Sequence, residues 1–252
     1  MDMMPYDAFA KAIFSNTPPI AETDLNDPDL IDMVKNMGRM GIILPHQIKA
    51  KDVCDTLYTY HIMTNNDDFF DRCRQEDANL SKDDFCELAA TYLFYRLYEE
   101  YDHQYYNAAK NRVETFLNNY YPPMSGFFSQ CTKALESEFF YPCVCGLITI
   151  LEGILGKYVG SSQTSMHSLF DNVIDQITDS TESIVAINIQ SFIDTITTRS
   201  DFLSQDEPIQ LNRHWLLHGR SNRDVTKLDC ISILCAIDAV IDLIQHSIGD
   251  LP

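Results

Sequence analysis

Residues 228–244 read LDCISILCAIDAVIDLI, with Leu228, Ile231, Leu234, Ile237, Ile241 and Ile244 recurring every three or four positions. That spacing puts one apolar stripe along a helix and predicts a long carboxyl-terminal helix over Asp224 to Ser247. The same periodicity predicts helices over Asp29 to Met40, His46 to Met63, Lys82 to Tyr101, Gln104 to Asn119, Phe139 to Val159, Ser165 to Thr178 and Glu182 to Thr198. No stretch alternates apolar and polar residues as a half-buried strand would, so the expected fold class is all-α.

Turn chemistry divides these helices. Pro and Gly cluster at Asn16-Thr17-Pro18-Pro19, at Tyr121-Pro122-Pro123-Met124-Ser125-Gly126, at Gly160-Ser161-Ser162 and at Ser204-Gln205-Asp206-Glu207-Pro208. The break at Pro122-Pro123 is the expected boundary between a helical amino-terminal region, residues 1–123, and a carboxyl-terminal bundle, residues 124–252. The first region is rich in aromatics (Tyr92, Phe94, Tyr95, Tyr98, Tyr101, Tyr105 and Tyr106) whose helical spacing favours core packing over base stacking.

A chain of 252 residues can bury a substantial core without disulfides. Its eight cysteines, Cys54, Cys73, Cys86, Cys131, Cys143, Cys145, Cys230 and Cys235, show no regular framework and read as reduced thiols. The segment Met1-Asp2-Met3-Met4-Pro5-Tyr6-Asp7 lacks the cationic start and apolar run of a signal peptide. No later stretch supplies about 18 uncharged apolar residues, so the expected protein is cytoplasmic with no membrane partner.

With 18 Lys and Arg against 37 Asp and Glu, the formal net charge is −19, which opposes non-specific nucleic-acid binding. One island departs from this balance. Arg213, Arg220, Arg223 and Lys227 fall in a short stretch whose only acid is Asp224, with His214 and His218 among them.

The segment Leu211-Asn212-Arg213-His214-Trp215-Leu216-Leu217-His218-Gly219-Arg220 leaves three readings open. In the structural one, His214 and His218 lie one turn apart on a helix, Trp215 and Leu216 face the core, and Arg213 caps or pairs with an acid. In the second, the two histidines are a zinc-ligand pair. Against it, no Cys-x-x-Cys occurs, no third ligand stands nearby, Cys143 and Cys145 are about 200° apart on a helix, and the internal Glu of the common metalloprotease pattern is missing. The third is metal-free phosphodiester chemistry, with His218 moving protons and Arg213 stabilising charge on phosphorus. Arg213 and His218 are about 140° apart on an ideal helix. Arg213 is therefore expected at the helix start, capped by Asn212, with its side chain folding back toward His218.

These residues resemble the HEPN superfamily, whose signature is an Arg, often followed by a polar residue, and a His a short run later. Here the match is Arg213, His214 and His218. The longer string, Asn-Arg-His-x-x-Leu-His-Gly before a polar turn and an apolar helix, is similar to bacterial members linked to abortive infection. The superfamily also carries an acidic residue on an earlier helix, and Leu151-Glu152-Gly153-Ile154-Leu155-Gly156-Lys157 resembles that element. The resemblance runs from about Phe139 to the carboxyl end.

It implies a helical bundle, usually dimeric, in which two Arg-His pairs meet as a composite ribonuclease site that needs no metal and no cofactor. The expected activity is endoribonucleolytic cleavage through 2′-hydroxyl attack by a toxin or phage-defence effector, with RNA as substrate, a homodimer as the working form and an antitoxin or regulatory protein as further partner. Arg213 and His218 would be catalytic, and His214, Asn212 and Glu152 would orient them; from the basic island itself, Arg220, Arg223 and Lys227 are the expected phosphate contacts. The alternative is a non-catalytic HEPN-like module whose acidic surface binds a protein partner.

Overall fold

The computed structural model describes residues 28–44, 70, 71, 74, 81, 82, 102–158, 165–175, 177, 180–199, 202 and 206–248. Among them the secondary structure is helical throughout: α1 (Pro28–Arg39), α2 (Asp102–Tyr120), α3 (Pro122–Glu136), α4 (Phe140–Tyr158), α5 (Met166–Ile174), α6 (Ser180–Thr197), α7 (Arg213–Leu217) and α8 (Lys227–Ile248). The all-α expectation is met. The helices expected over His46 to Met63 and Lys82 to Tyr101 fall almost entirely outside the described residues, as do Cys54, Cys73 and Cys86.

Three expectations about helix boundaries need correction. Residues 121–126 read as a break, yet Pro122 and Pro123 are the first residues of a 15-residue helix. Proline suits that position because its fixed φ is already helical and its missing N–H would have had no partner there. The helix then buries Phe128, Cys131, Thr132 and Leu135 at helical spacing. The carboxyl-terminal helix starts at Lys227 rather than Asp224. A capping box sets the start: Thr226 Oγ1 accepts from the Asp229 backbone N–H at 3.3 Å, and the Asp229 carboxylate accepts from the Thr226 N–H at 2.7 Å.

Helix α5 stops at Ile174, short of the Thr178 expected. Its start is capped by Ser165, whose hydroxyl accepts from the Ser168 N–H, and its end falls at Asp175, a charge disfavoured at the negative end of a helix.

One apolar core gathers these helices, with α8 and α4 at its centre. α8 packs on α4, α2, α6 and α5, whereas α4 packs on α3, α5 and α7 as well. The core runs across Pro122-Pro123: Leu30, Val34, Val113, Phe116 and Leu117 from before it pack with Leu147, Ile154, Val185, Ile237 and Val240 from after it. Tyr106, from the tyrosine-rich run, packs against the same core. The stretch Phe140–Lys157 of α4 is long and apolar enough to cross a membrane, at a mean hydropathy of 1.4, and half of it is buried within the protein. Its burial comes from serving as a central helix of the bundle.

A buried asparagine fixes α1 to α6. Asn188 Oδ1 accepts from the Leu44 N–H at 2.9 Å, and its Nδ2 donates to the carbonyls of Val34 and Ile42 at 3.1 and 3.0 Å. All of its side-chain capacity but one lone pair is thereby used, as a fully buried amide requires. The close approach depends on Gly38, where a Cβ would strike the Asn188 carbonyl.

Candidate functional site

The Arg-His segment forms a short helix built almost entirely from its caps. Asn212 precedes α7 in extended conformation, and its Oδ1 accepts from the N–H groups of His214 at 2.9 Å and Trp215 at 3.2 Å. Its Nδ2 donates to the Thr198 carbonyl at 2.9 Å, tying α7 to the end of α6. Asn212 is therefore the amino-terminal cap, as its type and position predict.

The helix lasts five residues. Gly219 takes a positive φ of 64°, and the N–H groups of Gly219 and Arg220 return to the carbonyls of Leu216 and Trp215 at 3.0 and 2.9 Å. This left-handed closure favours glycine and leaves His218 as the carboxyl cap. Trp215 and Leu216 are buried, anchoring the turn, whereas His218 is exposed. Tyr141 of α4 adds a second anchor, its hydroxyl donating to the Leu216 carbonyl at 2.6 Å.

Arg213 is the first residue of α7, where a cation sits unfavourably at the positive end of the helix. A carboxylate offsets this. Arg213 Nε lies 2.8 Å from Glu152 Oε1, with both side chains about one-third exposed. The Nε–H is not aimed along the line to the oxygen, so the contact is a charge pair more than a linear hydrogen bond. The side chain expected to fold back toward His218 is thus held through its Nε by α4.

The two imidazoles meet directly, their ring centroids 4.6 Å apart and their planes 75° to one another. Phe202, from the segment joining α6 to α7, touches both: it stacks on His214 at 4.5 Å and 7°, and meets His218 edge-on at 5.6 Å. The guanidinium of Arg220 lies over the same phenyl ring, 4.6 Å from its centroid. Burial pushes the His214 pKa below its usual 6.5, and the charges of His218, Arg199, Arg213 and Arg220 push it further down. The environment of His214 is therefore cationic despite the acidity of the whole chain.

The expected phosphate contacts divide into two kinds. Arg220 is exposed, and so is Lys227 at the first residue of α8. Arg223 is committed elsewhere, its Nη2 donating to both oxygens of Asp229 at 3.0 and 3.2 Å. Next to it, Glu207 accepts from the Ser221 hydroxyl and, at 2.7 Å, from the Asn222 N–H. Burial works against the charge of Glu207, but these bonds, the Arg223 N–H and the Arg223 guanidinium prevail and lower its pKa. The turn after α7 is pinned on both sides.

Sequence reasoning misses three residues here: Phe202, Arg199 and Tyr141. Phe202 stands as a large aromatic within the polar run Arg199-Ser200-Asp201-Phe202-Leu203-Ser204, the kind of isolation that can flag a tertiary contact. Arg199, exposed just beyond α6, carries no local signal of its role, and neither does Tyr141.

Among the described residues no three His, Cys, Asp or Glu side chains converge to hold a metal ion. The described thiols, Cys131, Cys143, Cys145, Cys230 and Cys235, are free. Burial raises Cys131 and Cys235 to about 12, well outside the range of a reactive thiolate.

No protein-family model, curated protein or solved structure matches the chain.

Proposed function

We propose that this protein is a metal-independent endoribonuclease of HEPN type, acting in the cytoplasm as a toxin or phage-defence effector. The observation that carries the reading is the arrangement of α7: a guanidinium held by Glu152 at one end and an exposed imidazole, His218, at the other. A guanidinium can stabilise charge on a phosphodiester in transit and an imidazole can move its protons.

In this mechanism, Arg213 binds the scissile phosphate and stabilises the extra negative charge of the pentavalent transition state. His218 takes the proton of the ribose 2′-hydroxyl as that oxygen attacks phosphorus, and the P–O5′ bond breaks. The 5′-oxygen leaves with a proton from an imidazolium, giving a 2′,3′-cyclic phosphate and a 5′-hydroxyl. Because the nucleophile is the RNA's own 2′-hydroxyl, DNA is not cut.

A single chain offers one such pair, and a homodimer would supply the second imidazole. Exposed apolar side chains near the motif support that assembly: Leu217 follows Leu216 on α7, Tyr141 binds the Leu216 carbonyl, and both are more than two-fifths exposed. The opposing reading, a non-catalytic module for a protein partner, is favoured by the same apolar residues and by the −19 charge. An antitoxin or regulatory protein fits either reading.

The deciding experiment incubates wild-type and His218→Ala protein with labelled total RNA in excess chelator and examines fragment ends. Cleavage by the wild type alone, with cyclic-phosphate ends, is the expected result. Intact RNA with both proteins would favour the interaction module.

A further inference from the structure

Phe202 lies outside every helix and is not part of the apolar core that unites α1 to α8. It is half-buried, yet its ring contacts four groups of the α7 turn. His214 stacks on it with ring planes 7° apart, Trp215 meets it edge-on at 5.0 Å and 90°, His218 meets it edge-on at 68°, and the Arg220 guanidinium covers it at 4.6 Å. An apolar ring surrounded by two imidazoles and a cation adds little to core burial. It is placed where it limits the motion of each of those groups.

We propose that Phe202 is the positioning residue of the imidazole pair, locking the His214 ring by stacking and setting His218 edge-on, so that the exposed His218 imidazole presents one orientation to a phosphodiester. Left to itself, an exposed histidine at a helix end samples several rotamers, and each wrong rotamer takes the ring away from the reacting oxygen. Two ring contacts, one with His214 and one with Phe202, restrict it. Trp215, which is buried, holds Phe202 through an edge-on ring contact.

The electrostatics divide the labour between the imidazoles. Burial, then the charges of His218, Arg199, Arg213 and Arg220, disfavour the protonated form of His214, and the carboxylate of Glu152 is engaged by Arg213. This disfavouring of the imidazolium suits His214 to the part of a ring partner rather than a proton carrier. The consequence for catalysis rests on the ribonuclease reading; the positioning itself does not.

The test uses selectively labelled histidines followed by nuclear magnetic resonance, alongside RNA cleavage. In the unmodified protein, nuclear Overhauser contacts are expected between the Phe202 ring and both imidazoles, and their absence overturns the proposal whatever the variants do. Phe202→Leu should move the His214 titration midpoint up toward the ordinary histidine range and remove the ring-current displacement of His218, whereas Phe202→Tyr should preserve both. Cleavage by Phe202→Leu should fall by about tenfold or more in kcat with little change in KM, and Phe202→Tyr should restore it. Unchanged His214 and His218 signals in a folded Phe202→Leu protein overturn the proposal. If the signals move as expected but wild-type protein cuts no RNA, the positioning role stands and the ribonuclease reading falls.

Discussion

Glu152 and Arg213 join the central helix to the candidate site: the carboxylate on α4 lies 2.8 Å from the Nε of the first residue of α7. The pair is about one-third exposed on both sides, so solvent screens it, and its coupling should be about 1 kcal/mol or less. A double-mutant cycle of Glu152→Gln and Arg213→Gln, followed by urea denaturation, measures that coupling directly. Stability changes that simply add would show that the contact is energetically neutral. Glu152→Gln should also lower RNA cleavage, because the guanidinium loses the group that orients it.

Asn212 ties the start of α7 to the end of α6. Its side chain satisfies two N–H groups of α7 and one carbonyl at the end of α6, and it is buried. Asn212→Ala should cost about 2 kcal/mol, combining a lost cap with a lost buried hydrogen bond. Asn212→Asp retains the capping acceptor but sets a buried carboxylate against the Thr198 carbonyl, so it should also destabilise. Equal stability of the Asp variant and the wild type, by denaturant midpoint, would mean that the Thr198 bond contributes no net stability.

His214 makes stability depend on pH. Its folded pKa lies below the ordinary 6.5, so the unfolded chain binds the proton more readily. The unfolded state then holds more protons in that range, and stability rises with pH there. His214's contribution is complete above about 6.5 and is lost as pH falls from there toward the folded value. Melting temperatures of wild type and His214→Gln between pH 5 and 7.5 should therefore converge at the alkaline end, relative to their offset, and show a steeper acid decline in the wild type. Parallel profiles would mean that the environment does not discriminate against imidazolium.

The link between α3 and α4 stores strain at one residue. Glu138 adopts a φ of 61°, and the N–H groups of Glu138 and Phe139 return to the carbonyls of Leu135 and Ala134, closing α3 in the way that usually employs glycine. A side chain in this region costs about 1–2 kcal/mol, whereas glycine loses about 0.5–1 kcal/mol through its freer unfolded chain. Glu138→Gly should stabilise the protein by a few tenths to about 1 kcal/mol, and Glu138→Ala should not. Calorimetry that finds the Gly variant less stable would show that Glu138 makes a compensating contact.

These residues also mark where the sequence could and could not be read. Apolar periodicity reveals the long helices because burial on one face leaves a direct trace, and Asn212 is legible as a cap because capping is local. α3 is hidden because Pro122-Pro123 serves equally well as a break and as a helix start, and only packing of Phe128 and Leu135 decides between them. Tyr141 reaches the site from 75 residues away through a contact that no local pattern encodes, and the isolation of Phe202 in a polar run flags a tertiary contact without naming its partners. The proximity of Glu152 to Arg213 was expected only through the family resemblance; spacing alone could not pair residues on different helices.

Arg223 shows how a cation's partner changes its function. By composition it belongs with Arg220 and Lys227 as a phosphate contact, yet its Nη2 is bonded to both oxygens of Asp229, and Asp229 in turn caps α8 through Thr226. Both side chains of this pair are mostly buried, at 24% and 12% exposed, so the bonds are less screened than those at a free surface. Releasing Arg223 to a phosphate would leave Asp229 with only its cap contacts and sacrifice a charge-assisted pair. Arg223→Gln should therefore lower stability by about 1–2 kcal/mol while leaving the salt dependence of RNA binding unchanged. Arg220→Gln should do the reverse, reducing the salt slope by about one with little effect on folding, since Arg220 is exposed and rests on the Phe202 face. Binding to a 2′-O-methyl oligonucleotide, which the proposed chemistry cannot cleave, measures both slopes across a salt series. A slope reduced by Arg223→Gln as much as by Arg220→Gln would mean that RNA recruits Arg223 away from Asp229, and that α8 starts differently in the complex.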